Sequence, residues 1–200
     1  MGQRLVVTIH AFNEDIAKIY YHWSAYSLSA LQEANDIING VDWENAKDVR
    51  DLQYKLIRFV EEAGGCIDGN EREYQAIQEM FPGKEFKKEG SRNDGLIALT
   101  EQGMDDLEYW SEGDLTIDFD DEQVWNCVID CYQSLEEVND SYFYDGDEDR
   151  FSDNDFIEVN ADFENIQFKD LDRVIDIMDK LWHNQQFEFK CNGMYCMMIA

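Results

Sequence analysis

The stretch Asp145-Gly-Asp147-Glu148-Asp149-Arg-Phe-Ser-Asp153-Asn-Asp155 gathers the densest set of chemically useful side chains in the chain. Carboxylates at alternate positions suit a hard cation such as calcium. Asp145, Asp147, Asp149 and Asp153 fall on positions one, three, five and nine of an EF-hand loop. The sixth position should be glycine and is Arg150; the twelfth should be a bidentate Glu and is Phe156. Two required features therefore fail, and a divalent-cation module over 145–155 stands only as an alternative reading. Five cysteines offer a second donor set, in which Cys127, Cys131, Cys191 and Cys196 would have to combine as thiolates. Neither pair has the two-residue knuckle spacing of a zinc site, and small buried hydrophobes are the simpler reading. Glu188-Phe-Lys190, with an upstream acid such as Asp162, has the residue types of a metal-dependent nuclease strand. A three-residue pattern arises freely by chance, and a surface this acidic repels a polyanionic substrate. His10, His22 and His183 sit in no GxSxG, HExxH, Walker or GxGxxG context. With 45 carboxylates in 200 residues, an acid pair near any of them carries no information. The expectation is a protein that is not an enzyme and uses no cofactor.

What does carry information is where the acids fall. The net charge is -29, from 45 acidic and 16 basic residues. Between Glu101 and Glu164 there are 23 acids and one base, Arg150, so that stretch holds -22 of the total. Residues 1–100 contribute -6 and residues 165–200 contribute -1. A merely solvated surface mixes its signs. A halophile is acidic throughout, whereas this chain is acidic in one segment and pairs 16 Ile and 13 Asn with 11 Ala. Duplex DNA presents one negative charge per roughly 1.7 Å of axis, and proteins that grip it line a groove with Lys and Arg. Carboxylates held rigidly at comparable density would occupy such a groove. The candidate contacts are Asp118, Asp120, Asp121 and Glu122 at an expected strand–helix junction, with Asp145, Asp147, Glu148, Asp149, Asp153 and Asp155 in the loop beyond. Each would meet Lys or Arg in place of a phosphate. Tyr142, Phe143, Tyr144 and Phe151 interleave with the loop acids and would supply an apolar centre beside the charged rim.

Positioning these groups requires a folded scaffold, and 44% hydrophobic residues with 14% aromatics are enough to build one. Strands are predicted over Leu5 to Ile9 and Ile16 to Trp23, joined at Asn13-Glu14-Asp15. Ser24 would cap a helix carrying Leu28, Leu31, Ala34, Ile37 and Ile38 and ending at Gly40. A second helix begins near Asp42 and closes at Gly64-Gly65; a third runs from Asn70 to Phe81, before the only proline, Pro82. Lys84 to Gly95 is a polar connection with the only cationic cluster, Lys84, Lys87, Lys88 and Arg92. A strand at Leu96 to Thr100, a short helix over Met104 to Trp110 and a strand at Asp114 to Phe119 follow. Val124, Val128, Cys131, Leu135 and Val138 fit one helix face, Asn139 to Asp155 reads as a loop, and Phe156 to Phe168 as extended. Leu171 to Leu181 marks a last helix, and Asn192-Gly193 joins two closing strands. The fold class predicted is α+β: a mostly antiparallel sheet with hairpins at both ends and about five to seven helices. One domain over 1–200 is expected, with a subdivision near 84–95 as the alternative.

In size, pI near 4.1, charge segregation and Ile/Asn-rich composition, the chain resembles small acidic proteins of bacteriophages and mobile elements that inhibit host defence. DNA-mimic restriction inhibitors and anti-CRISPR proteins are such families. The segment Ile16-Ala-Lys-Ile-Tyr-Tyr-His-Trp-Ser24 also looks like phage proteins of Gram-positive hosts. The likeness is one of type, with no motif that maps residue by residue. It implies a host partner that is a positively charged nucleic-acid-binding protein, such as a CRISPR effector or restriction enzyme. Direct contact with nucleic acid or membrane is not expected. Met1 to Ile9 has one Arg and too short an apolar run for a secretory signal, and the odd cysteine number suits reduced thiols, so a cytoplasmic location is expected.

Overall fold

A computed structural model describes residues 4–25, 27–127, 156–159, 165–184, 186–191 and 194–198. Strands β1 (Leu5–Ala11) and β2 (Glu14–Tyr21) pair antiparallel in sequence succession. Helices α1 (Ser27–Gly40) and α2 (Val49–Ala63) follow, then β3 (Cys66–Ile67), α3 (Glu71–Met80), β4 (Leu96–Ala98) and α4 (Glu101–Glu108). Next come β5 (Gly113–Asp118), β6 (Gln123–Cys127), β7 (Phe156–Val159), β8 (Asn165–Gln167) and α5 (Phe168–Asn184). The last two strands are β9 (Gln186–Cys191) and β10 (Met194–Met198). A seven-stranded sheet has the order β3-β4-β2-β1-β5-β6-β8, and a three-stranded one the order β10-β9-β7.

The expectation of a mostly antiparallel sheet framed by hairpins is corrected: the sheet is mixed. β1 pairs parallel with β5, β3 with β4, and β7 with β9. Parallel pairs demand long crossovers, and α1 to α4 lie within the crossover from β1 to β5. Leu5 pairs with Gly113, and the other two pairs join Cys66 to Leu96 and Phe156 to Gln186, separations that local patterning does not register.

One face of the large sheet buries Leu5, Val7, Ile9, Ile19, Ile97, Leu115, Ile117, Val124 and Ile166. Against it pack Leu31, Ala34 and Ile37 of α1, Leu52, Leu56 and Val60 of α2, Ile77 of α3, and Leu171 and Val174 of α5. The opposite face has a second, smaller core of Val6, Tyr20, Cys66, Leu96, Ala98 and Leu107, and α4 is its cover. Cys66 is fully buried and burial raises its thiol pKa, in keeping with a packing role.

Helix boundaries follow capping chemistry. Asn70 accepts from the Arg72 amide at 3.0 Å and starts α3 as expected. α2 begins later than Asp42: Asp48 is its cap, accepting from the Asp51 amide at 2.9 Å. Ser24 does not cap α1, because its hydroxyl donates to Glu33 at 2.9 Å and the helix starts at Ser27. Val124 belongs to strand β6, not to a helix; its register with Ile117 and Ile166 puts it on the buried face.

Two buried carboxylates order the 84–100 segment. Glu61 accepts the Lys87 amide, and Glu73 accepts the Leu99 and Thr100 amides at 2.6 and 3.0 Å and the Thr100 hydroxyl. Gly65 faces Gly95 so closely that a Cβ at Gly65 would meet the Gly95 carbonyl oxygen at 2.2 Å. The predicted cationic cluster is not one patch. Lys87 Nζ donates to the Glu61 carbonyl, Lys88 pairs with Glu71, and Lys84 stands over the Tyr54 ring.

Candidate functional site

Two chain reversals meet at one end of the large sheet. Because β1 and β5 run parallel, their ends lie side by side, and His10 sits in register with Asp118 on one flank and Asp15 on the other. β1 turns into β2 through Phe12-Asn13, with φ of 57° and 62°. Two left-handed residues are the type I′ geometry whose twist matches paired strands, normally reserved for Asn and Gly. A left-handed phenylalanine carries roughly 1–2 kcal/mol of strain.

Asp120 offsets that strain. Its Oδ1 accepts the Phe12 amide at 2.9 Å and its Oδ2 accepts the Asn13 amide at 2.7 Å. Asp118 holds the second reversal, Oδ1 accepting the Asp120 and Asp121 amides at 2.9 and 3.1 Å. Glu122, at φ 52°, completes that reversal, and its carbonyl accepts the Phe168 amide at 2.9 Å. Between them Phe119 is buried, stacked on Trp43 with ring centroids 4.9 Å apart. His10 Nδ1 lies 2.7 Å from Asp15 Oδ1, and its Nε2 lies 3.9 Å from Asp120 Oδ2. The hydrogen bond to Asp15 raises the imidazole pKa, Asp118 and Asp120 add to the rise, and burial opposes it.

Four of the ten predicted contact residues are therefore brought together, though on a strand–strand reversal rather than a strand–helix junction. Their roles differ. Asp118 and Asp120 spend their oxygens on backbone amides, while Asp121 and Glu122 are exposed. Glu14 and Asp15, also exposed, join them from the neighbouring turn. Residues 10–15 and 118–122 thus carry six carboxylates and no Lys or Arg. Asp145, Asp147, Glu148, Asp149, Asp153 and Asp155 lie outside the described residues. So do the 145–155 cation reading and Asp162, along with the side chains of Cys127, Cys131, Cys191, Cys196, Glu188 and Lys190.

His10, Asp118 and Asp120 also bring one nitrogen and two carboxylates within 4.8 Å of one another. Calcium takes six to eight oxygens, and the carboxylates here already hold four amides. The trio reads as the lock between two turns. Sequence reasoning gave His10 and Phe12 no part in the site. It set the turn at Asn13 to Asp15, and no turn statistic nominates a left-handed phenylalanine.

No protein-family model, curated protein or solved structure matches the chain. The geometry of the carboxylates therefore carries the functional reading.

Proposed function

We propose that the chain is an acidic decoy, whose carboxylate face enters the cationic nucleic-acid-binding groove of a host defence protein and blocks it. The supporting observation is the end of the sheet where six carboxylates gather, two of which, Asp118 and Asp120, are fixed by backbone amide hydrogen bonds. A rigid array pre-sets its charges and avoids part of the ordering entropy of association. Opposite charge across the interface steers the encounter. Phe12 is 40% exposed at the turn tip, and Trp125 is 49% exposed on β6. In register, Trp125 lies opposite Thr116, on the face that carries Asp114 and Asp118. Exposed rings beside charge are the composition of an interface centre. Among the described residues no helix is long and apolar enough to cross a membrane.

The test is displacement of labelled duplex DNA from cationic DNA-binding proteins retrieved from host lysate at low salt. The triple variant Glu14→Lys, Asp121→Lys, Glu122→Lys leaves every amide-holding carboxylate in place, so it should fold and lose displacement. Wild-type displacement should weaken steeply with added salt. Displacement that survives both the triple reversal and high salt refutes the decoy.

A further inference from the structure

At the opposite end of the same sheet, where β2 finishes and β1, β3 and β4 begin, a cavity of about 290 Å³ opens beside α4. Arg4, Tyr20, His22, Asp68, Arg92 and Trp110 line it over a floor of the smaller core. Sequence patterning assigns these residues no shared role, because they come from five separate stretches of chain.

Its lining carries both charges. Two arginines supply the cations. Arg4 Nη2 pairs with Glu112 Oε1 at 2.8 Å, and its buried Nε is closed to anything in the cavity. Arg92 makes no ion pair within 4 Å among the described residues, in a chain with 45 acids to 16 bases. The Tyr20 hydroxyl lies 2.8 Å from His22 Nδ1 and orients that ring. Two aspartates supply the acceptors, and Asp68 feels the charge of Arg92. Asp68 is half-buried, and burial raises its pKa; Asp106 is held by the Asn70 and Gln102 amides at 3.3 and 2.9 Å. Trp110, 54% exposed, forms a flat wall with the Arg4 guanidinium 5.7 Å from its ring centroid.

An exposed arginine with no ion pair within 4 Å among the described residues offers a place for an oxyanion. An exposed indole calls for a flat ring, and the two carboxylates call for an N–H donor on that ring. The volume lies at the lower end of small-ligand sites, which run from about 300 Å³ upward. It admits a mononucleotide or an aromatic acid and excludes a polymer. We propose that this cavity binds a small anion bearing a planar, N–H-carrying ring. The ring stacks on Trp110, the oxyanion meets Arg92, and the ring donor faces Asp68 or Asp106. Two sources share this chemistry, a free purine mononucleotide and an indole-type carboxylate.

Isothermal titration of the full chain at low salt separates them, with adenosine and guanosine 5′-monophosphate in one arm and indole-3-acetate in the other. Adenosine and inorganic phosphate serve as half-ligands. One ring-bearing anion should bind about tenfold or more tighter than either half-ligand, a gap of about 1.4 kcal/mol. Arg92→Ala and Trp110→Ala should each weaken it about as much, while Trp110→Phe retains most of the binding. Both side chains reach the surface, and an unchanged thermal melt certifies the fold of each variant. Three results each overturn the proposal: no heat from any ring-bearing anion at millimolar concentration, phosphate binding as tightly as the ring-bearing anions, or affinity unaffected by both alanine variants. The decoy surface lies at the other end of β1, so either idea survives the failure of the other.

Discussion

Glu33 is a half-buried acid that should make the protein less stable as the pH rises. Its carboxyl accepts a hydrogen bond from Ser24, and burial lifts its pKa from 4.5 to about 7, with Asp36 and Asp94 adding repulsion. A carboxyl whose folded pKa is raised stabilises the fold fully below pH 4.5 and loses that contribution as the pH climbs toward 7. At about 1.4 kcal/mol per pH unit, the interval amounts to about 3 kcal/mol. Glu33→Gln keeps the acceptor for Ser24 and removes the ionisation. Urea unfolding of both proteins should give similar stabilities at pH 5, with the variant roughly 2–3 kcal/mol more stable at pH 8. His10, whose pKa is also raised, contributes equally to both proteins and cancels in the difference. A variant that differs from the parent by the same amount at both pH values would show that burial does not hold that proton, and would refute the reasoning.

Three further outcomes follow from the turns and the buried clamps. Glu73→Ala leaves two backbone amides and a hydroxyl without their acceptor in a site 2% exposed, so stability should fall by roughly 3–5 kcal/mol; Glu79→Ala, exposed on the same helix, should change the urea midpoint little. Phe12→Asn relieves the left-handed strain and should raise stability by about 1 kcal/mol, while weakening partner binding if the ring is an interface contact; thermal melts and the DNA-displacement assay read the two effects separately. His10→Gln should cost stability at pH 5 and progressively less as the pH rises through the folded imidazole pKa, because the protonated ring is the form that Asp15, Asp118 and Asp120 favour; chemical denaturation at the two ends of that range checks it.

Local chemistry was readable wherever neighbours in sequence decide the outcome. Asn70 before Glu71 and Pro82 after Met80 delimit α3. The alternation through Leu115 and Ile117 marks β5. Val124 misled because its four-residue spacing to Val128 imitates a helix. Pairing with Ile117 and Ile166 decides the matter, and neither contact is local. Ser24 misled for a related reason: a hydroxyl before an apolar run looks like a cap until a half-buried carboxyl nine residues on claims it. At the site, the acidity of 118–122 was plain, but its role was not. That Asp120 would hold the turn of another strand depends on the parallel pairing of β1 with β5, and a hundred intervening residues conceal it.

β1 links the two ends of the molecule and gives the charge map its logic. Arg4 precedes it and Phe12 follows it, roughly 25 Å apart by strand rise. At the first end two arginines and two aspartates line a cavity; at the second, carboxylates crowd two turns with no Lys or Arg among them. Repulsion among six carboxylates at one strand end opposes folding, and at least four amide donors are drawn in to counter it. Polar replacements such as Asn or Ser would cap the same turns without that repulsion. Full charges standing where neutral groups would hold the fold are what the proposed decoy requires. Replacing Asp121 and Glu122 by Asn and Gln separates the two demands. Stability should rise slightly as repulsion is relieved, whereas capture of a cationic partner should fall. A loss of stability with capture intact would instead make these acids structural.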